Sequence, residues 1–528
     1  MRKLPRIALV ALVVVVIAAV AAVAWMYSFP PTPPAKKVLV FAYPTDFPDL
    51  DPSVAFENEH VILSNVYEAL VYYDAKSKDP LQPWLATSWT SSSDGLTWTF
   101  KLREGVKFHD DTRFTADAVK FSVERTKKLG LGAAFIWDPI KEITVVDEKT
   151  VQFKLAYPAP LPQIASSAYG AWIISPKVPS DPAAHDWFNK GLEGGTGPYV
   201  IERYERGAEV VLAKFNGYWK GWNLPHSEKV VIRTIRDPTV RLQAVKAGEA
   251  DFTVELTREQ LKILKDDRAV QLIPSPSFRN LVGPFNTMRS PTDNLQVRQA
   301  LSYAFPYQKV IDAVWAGYAS QSRGPIPKGM FGYSSDLPQY TYDLEKARDL
   351  LRKAGYPSGG FTITLTYTSG DLYEKMTAEL YKAELTKLGI ELDIREMTTR
   401  AKYALARGDP KQAQHILLFY WWPTFITPYD FMFNLFHSEE KVIFNFSYND
   451  DPDLDKLIDG AYKLEGTNLQ ESLKMYRNAQ EDVVNRALSL YIWDQEGVFV
   501  VSSKVHNFAD NPAYTQVVFF YGIWSEQA

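Results

Sequence analysis

The chain has 528 residues, 46% of them hydrophobic, about three times the size of a typical single domain and enough for more than one core. Basic and acidic residues number 58 and 62, a formal charge of -4, so there is no basic field of the kind a phosphate backbone attracts, and nucleic acid is excluded as a partner. Cysteine is absent, which excludes disulfides, thiolate metal sites and thiol nucleophiles.

The N-terminus places Arg2, Lys3 and Arg6 before an uncharged apolar run over residues 7–26. As a helix rising about 1.5 Å per residue, that run matches the roughly 30 Å of a bilayer core. Basic residues stay on the cytoplasmic side, so everything that follows is expected outside the cell membrane. Residues 1–28 are read as a membrane anchor; a cleaved secretory signal, with its cut after the small residues 22–24, is the competing reading. Pro30, Pro31, Pro33 and Pro34 follow, so residues 29–37 form a stiff spacer.

A first strand begins at Val38. Further on, "LTWTFKL" alternates, with Trp98, Phe100 and Leu102 on one face. "FTADAVKFSVERTKKLG" predicts a helix with Thr115 at its cap and Asp117 near its positive end. "ITVVDEKTVQFKL" predicts two strands joined by a polar turn. Next comes "GGTGPY", Gly194, Gly195 and Gly197 around Thr196. It lacks the Gly-Lys-Ser/Thr ending and following helix of a phosphate loop, and the paired-strand pattern "YVIERYERGAEVVLAKF" succeeds it, so it predicts a sharp connection. "KVVIRTIRDPTVRLQAVKAGEADF" is a strand running into a helix capped by Asp237, opened by Pro238 and closed by Gly248. "YDLEKARDLLRKAGY" predicts an amphipathic helix. "FTITLTY", "TAELYKAELTKLG" and "IELDIREM" then predict a βαβ unit. The pieces make an α/β protein of two lobes with an inserted β-rich unit.

Seven histidines are scattered with no metal-binding spacing, and neither a Gly-x-Ser-x-Gly elbow nor His-Glu-x-x-His occurs. His109, Asp110 and Asp111 lie together in "FHDDTRF", a pattern read as turn and cap. No cofactor or metal is expected. Residues 417–436, "LLFYWWPTFITPYDFMFNLF", hold nine aromatics and a single charge, Asp430, and are either core or the wall of a ligand cleft.

Six separated stretches together resemble the extracellular solute-binding proteins of family 5, which serve ABC importers of peptides and related solutes: "LQPWLATSWTSSSDGLTWTFKLREGVKFHDDTRFTADAVKFSVERT", "GTGPYVIERY", "NGYWKG", "RLQAVKAGEADF", "VRQALSYAF" and "DLEKARDLLRKAGY". The resemblance implies a type II, two-lobed periplasmic-binding-protein-like α/β fold. Lobe I would comprise residues 38–78, 197–283 and 498–528, the inserted β-rich subdomain 79–196, and lobe II 284–497. GTGPY would mark the return from the inserted subdomain into lobe I. The implied protein is a monomeric, non-enzymatic binder, tethered outside the membrane or released to the periplasm or medium after cleavage. It would capture an oligopeptide in the interlobe cleft and deliver it to ABC permease subunits.

Peptide-binding relatives hold the ligand amino group with an aspartate in a Trp-x-x-Asp-like segment; the matching stretch here, "WWPT", has Thr424 at that place, and the Asp-Pro that follows in relatives is Thr427-Pro428. Dipeptide-binding members also use an arginine for the ligand carboxylate after the strand that resembles "TITLTYTSGDLY", and none stands there. Loss of both handles leaves a peptide gripped through its backbone or a neutral oligosaccharide stacked on aromatic faces. The expected contacts are Trp421, Trp422, Thr424, Phe425 and Tyr429 in lobe II. Tyr43, Thr45, Asp46 and Phe47 are expected after the first strand, where open sheets present ligands, with Asp46 as substitute amino partner. A tethered glycan hydrolase would need two acids facing each other across a cleft, and the acids are dispersed.

Overall fold

The computed structural model describes residues 37–179, 184–315 and 317–526. The anchor or signal expected over 1–28, and the linker up to residue 36, lie outside them. Among the described residues no helix is long and apolar enough to cross a membrane.

A nine-stranded mixed sheet forms the spine. Its order is Phe419–Trp421, Val270–Pro284, Ser489–Ser502, Phe252–Thr253, Val38–Tyr43, Lys229–Thr234, Glu209–Lys214 and Tyr199–Glu205, with Ala319–Ser320 beside Ser489–Ser502. Val38–Tyr43 runs parallel to both Lys229–Thr234 and Phe252–Thr253. A second, parallel sheet of Glu391–Met397, Thr362–Thr368 and Ile416–Leu417 contains the βαβ unit, whose helix Leu372–Thr386 buries Ala378, Tyr381 and Leu385. A four-stranded antiparallel sheet, Ala86–Ser91, Thr97–Leu102, Thr150–Leu155 and Ile140–Asp147, makes the β-rich unit within residues 79–196.

Local chemistry explains the element ends. Asp237 accepts from the N–H groups of Thr239 (2.7 Å) and Val240 (3.0 Å), and Gly248 adopts φ +75° beyond the helix Pro238–Lys246. Thr115 occupies the cap of Ala116–Leu129, but its hydroxyl makes no capping bond. Trp98, Phe100 and Leu102 are buried on one face of their strand, as alternation requires.

GGTGPY lies against the helix His60–Val66. A Cβ on Gly195 would stand 1.9 Å from the Val66 carbonyl oxygen, and one on Gly197 would stand 2.6 Å from that of Asn65. The Gly197 N–H donates to the Val66 carbonyl at 2.9 Å. The glycines therefore permit two backbones to touch, with no phosphate involved. His109 completes the junction: its ring nitrogens contact the Glu193 carboxylate and the Gly197 carbonyl, both at 2.8 Å. Asp110 accepts from the Thr112 N–H and the Ser175 hydroxyl. The "FHDD" cluster is thus spent on structure. Across the same region a buried ion pair joins Arg125 to Asp51 through two hydrogen bonds of 2.8 and 2.7 Å.

Two long strands cross from one half to the other. Val270–Pro284 and Ser489–Ser502 pair antiparallel from Val270↔Ser502 to Pro276↔Glu496, break, and resume at Asn280↔Asp494. In the break Ser277, Phe278 and Arg279 face only Gln495, and Phe278 takes φ +50°. The expected boundary at 283/284 falls at the end of the first crossing strand, and that at 497/498 falls within the second.

Candidate ligand-binding cleft

A cavity of about 320 Å³ opens where the crossing strands lose register. Ser275, Pro276, Ser277, Arg279 and Gln495–Phe499 form its floor. One side is built from Val254–Leu256, which continue the strand Phe252–Thr253, together with Arg258 and Leu261 of the helix Arg258–Leu264. The opposite side comes from Trp315, Tyr318, Tyr420 and the start of the helix Leu372–Thr386. Thr515 and Gln516 of the C-terminal loop complete it.

The lining is aromatic and doubly charged. Trp315 stacks on Tyr373, ring centres 4.6 Å apart. Glu255, Asp371 and Glu496 supply carboxylates, and Arg258 and Arg279 supply guanidinium groups. Asp371 is committed to capping the helix Leu372–Thr386 through the N–H groups of Tyr373 and Glu374, both at 2.9 Å. Arg258 pairs with Glu259, and the Glu255 carboxylate accepts from the Gln516 side chain. Three buried polar atoms on the lining, Arg279 Nε, Trp315 Nε1 and Gln495 Oε1, lack a partner among the described residues. Two are donors and one an acceptor, so a ligand offering both would satisfy them. Backbone strain gathers here too: Glu255 (φ +53°), Phe278 (φ +50°) and Gln516 (φ +62°) all lie on or beside the cavity wall.

Of the residues expected after the first strand, none lines this cavity. Tyr43 is buried and stacked on Phe47 at 5.2 Å, and reaches the cleft only through its hydroxyl, which donates to Gln516 Oε1 at 2.7 Å. Phe47 packs in the core. The Thr45 hydroxyl accepts from Asn58 at 2.9 Å, and Asp46 holds the Gly207 N–H at 2.8 Å, capping the hairpin turn rather than offering a free carboxylate. It is the neighbouring strand, Phe252–Thr253, whose continuation beyond its carboxyl end enters the cavity.

In the aromatic segment, Trp422 is 43% exposed and lines a small recess with His60, Tyr169 and Phe278 that abuts the main cavity at Ser277 and Thr515. The other expected residues lie off both cavities and make contacts within the protein. Trp421 donates from Nε1 to Asp430 at 3.0 Å, and the Thr424 N–H donates to the same carboxylate at 3.0 Å. The Thr424 carbonyl accepts from the Ser167 hydroxyl at 2.7 Å. Phe425 is buried in the core of the inserted β-rich unit. Tyr429 stacks on Tyr462 with ring centres 3.9 Å apart. Asp430, buried beneath them, has its pKa pushed up to about 6 by desolvation. Tyr420, within the segment but not anticipated, faces the cleft.

An uncharged cleft with aromatic platforms would suit a neutral oligosaccharide; this one carries carboxylates and guanidinium groups drawn from Val254–Arg258, the crossing strands and the helix Leu372–Thr386. The two handles missing from the family positions say nothing about charge supplied from these other elements.

A two-lobed α/β frame, joined by two crossing strands with a lined cavity at their break, defines a solute-binding protein. Comparisons with known proteins agree. The profile of the bacterial extracellular solute-binding proteins, family 5, matches residues 80–442. The chain is 31% identical over 491 residues to the probable D,D-dipeptide-binding periplasmic protein DdpA of Escherichia coli K12, covering 91% of this chain and 93% of that one. It is 30% identical over 485 residues to the glutathione-binding protein GsiB of Pectobacterium atrosepticum, with 90% and 92% covered. Among solved structures, HbpA2 from Haemophilus parasuis superposes with a TM-score of 0.81 at 26% identity, over 93% of this chain and all of that one. The periplasmic binding protein DppA of Helicobacter pylori in complex with the peptide STSA gives 0.73 at 25% identity, over 93% and 98%. The chain belongs to the family 5 extracellular solute-binding proteins.

Proposed function

We propose that this protein is the extracytoplasmic receptor of an ABC importer and captures a short peptide in the cavity between its crossing strands. The observation that carries the reading is the lining itself: charges of both signs beside aromatic walls and orphaned polar atoms, a combination that suits a zwitterion with an amide backbone. A volume of about 320 Å³ lies at the low end of the roughly 300–1,000 Å³ usual for small-molecule sites, which favours a ligand of a few residues. The names of relatives point the same way, to D,D-dipeptides and glutathione.

No covalent step belongs to the mechanism. Ligand touching both halves shifts an open–closed equilibrium, and the closed shape is what the permease subunits distinguish. Flexing is expected at Ser277–Arg279, where the ladder is already interrupted. With residues 1–28 as an uncleaved anchor, the tether would raise the receptor's effective concentration at its permease.

A thermal-shift screen of the full-length protein tests this. D-alanyl-D-alanine, L-alanyl-L-alanine, glutathione and a tetrapeptide are compared with maltotriose and cellotriose. At least one peptide is expected to raise the melting temperature in a saturable way. A shift with the sugars alone would overturn the peptide reading.

A further inference from the structure

One guanidinium in the cleft is unspent. The other deeply set arginines are used up: Arg125 on Asp51, Arg241 on the carbonyls of Ile235, Arg236 and Glu255, and Arg298 on the carbonyls of Thr292, Asp293, Arg486 and Ala487. Arg279 differs. Among the described residues its side chain makes no hydrogen bond and no ion pair: its Nε is buried without an acceptor, as are those of Arg125 and Arg241, but unlike theirs its terminal nitrogens are unbonded too. Its Cζ lies 4.0 Å from the ring centre of Tyr420 and 5.6 Å from that of Trp422. Stacking on rings fixes the plane of a guanidinium while leaving the N–H groups at its edge available, the arrangement that recognises a planar carboxylate through two parallel hydrogen bonds.

We infer that Arg279, held over Tyr420 in the interruption of the first crossing strand, is the anchor for the carboxylate of the bound solute. The inference rests on the proposed peptide reading and adds the chemical requirement that the ligand carry a free acid. It also relocates the carboxylate contact from the stretch after Thr362–Thr368, where arginine is lacking, to the strand that joins the lobes. A single carboxylate fits better than a phosphate, because Glu255, Asp371 and Glu496 share the cavity and would repel a dianion. Among the described residues the Glu496 side chain has no hydrogen-bond or ion-pair partner, and it sits on the facing strand opposite Pro276, so the same cavity offers a site of opposite sign for an ammonium group.

The test compares each acid with its amide. Full-length wild type, R279Q and R279K are titrated by calorimetry with L-alanyl-L-alanine and D-alanyl-D-alanine, with the C-terminal amides of both, and with succinate and succinamide. Wild type is expected to bind a dipeptide acid at least about tenfold more tightly than its amide, the loss typical of a charge-assisted hydrogen-bonded pair. R279Q should bind the two forms equally, and R279K should fall between, because an ammonium keeps the charge and loses the fork. Equal binding of acid and amide by wild type overturns the inference whatever the folding of the variants, as does an acid preference retained in R279Q. If no dipeptide binds while succinate is preferred over succinamide in an Arg279-dependent way, the peptide reading falls and the anchor stands. If no probe shows an Arg279-dependent preference for the acid, the anchor is refuted.

Discussion

Asp494 offers a quantitative check on the electrostatics of the crossing strands. It lies on the second crossing strand opposite Asn280, where pairing resumes beyond the break, and is fully enclosed. Its Oδ1 accepts from the Ser322 hydroxyl at 2.5 Å and its Oδ2 from the Lys328 N–H at 2.8 Å. Burial outweighs these bonds and pushes the pKa from 3.8 up to about 7. Between those values the folded protein keeps a proton that the unfolded chain has released. The stability this confers is fully present below about pH 4 and is lost as pH rises through about 7. A shift of about three units at about 1.4 kcal/mol each sets a ceiling near 4 kcal/mol on the loss at pH 8. Asp494→Asn imitates the protonated acid: its oxygen can take the Lys328 N–H while its amide donates to Ser322. The variant is expected to be more stable than wild type at pH 8 by about 2–4 kcal/mol and equal to it near pH 4. Urea midpoints across pH 4–8 read this directly. The buried acids Asp430 and Glu465, whose pKa values burial pushes up to about 6 and about 7, are common to both proteins and cancel. Equal midpoints at pH 8, or a variant that loses ground as pH rises, would show that Asp494 is charged and compensated in the folded protein.

Gly195→Ala places a methyl carbon 1.9 Å from the Val66 carbonyl oxygen, so two backbones must separate. We expect a cost of about 3 kcal/mol or more, read as a lowered urea midpoint; an unchanged midpoint would refute the close-approach role of GGTGPY. Asp51→Asn leaves Arg125 buried beside a neutral amide, and the expected loss is about 3–5 kcal/mol, again by urea denaturation; a loss under 1 kcal/mol would show that the pair is not desolvated. For the N-terminus, the full-length protein is expected to sediment with membranes and resist an alkaline wash, whereas a mature chain beginning at Trp25 by mass spectrometry would establish cleavage instead.

The parts legible in the sequence are those whose signal is local. Alternation in Thr97–Leu102, the Asp237-Pro238 start of a helix and the strand–helix–strand spacing over residues 362–397 each follow from short-range geometry, and the structure contains all three. Aromatic density was a weaker guide. It marks residues 417–436 as important without saying which rings face inward, because period and burial are decided by neighbours far along the chain. Trp421 turns to Asp430 and Phe425 to the inserted unit's core, while Tyr420 and Trp422 turn to cavities.

The crossing strands were illegible for a different reason. "LIPSPSFRNLVGP" carries three prolines and no clean alternation, so it does not announce a strand of 15 residues. Its pairing comes from Ser489–Ser502, more than 200 positions away, and the register break exists only in the pair. That break does two things at once. It frees the Ser277–Arg279 backbone from the ladder, giving the joint between halves somewhere to bend, and it turns Arg279 out of the sheet towards the cleft. A regular ladder would have left no room for these three residues beside the cavities. On the proposed reading site and hinge coincide, because both require the same unpaired segment; closing the break by deleting Ser277 and Phe278 should then stiffen the joint and abolish ligand-induced compaction in small-angle scattering. Compaction that survived the deletion would place the hinge elsewhere.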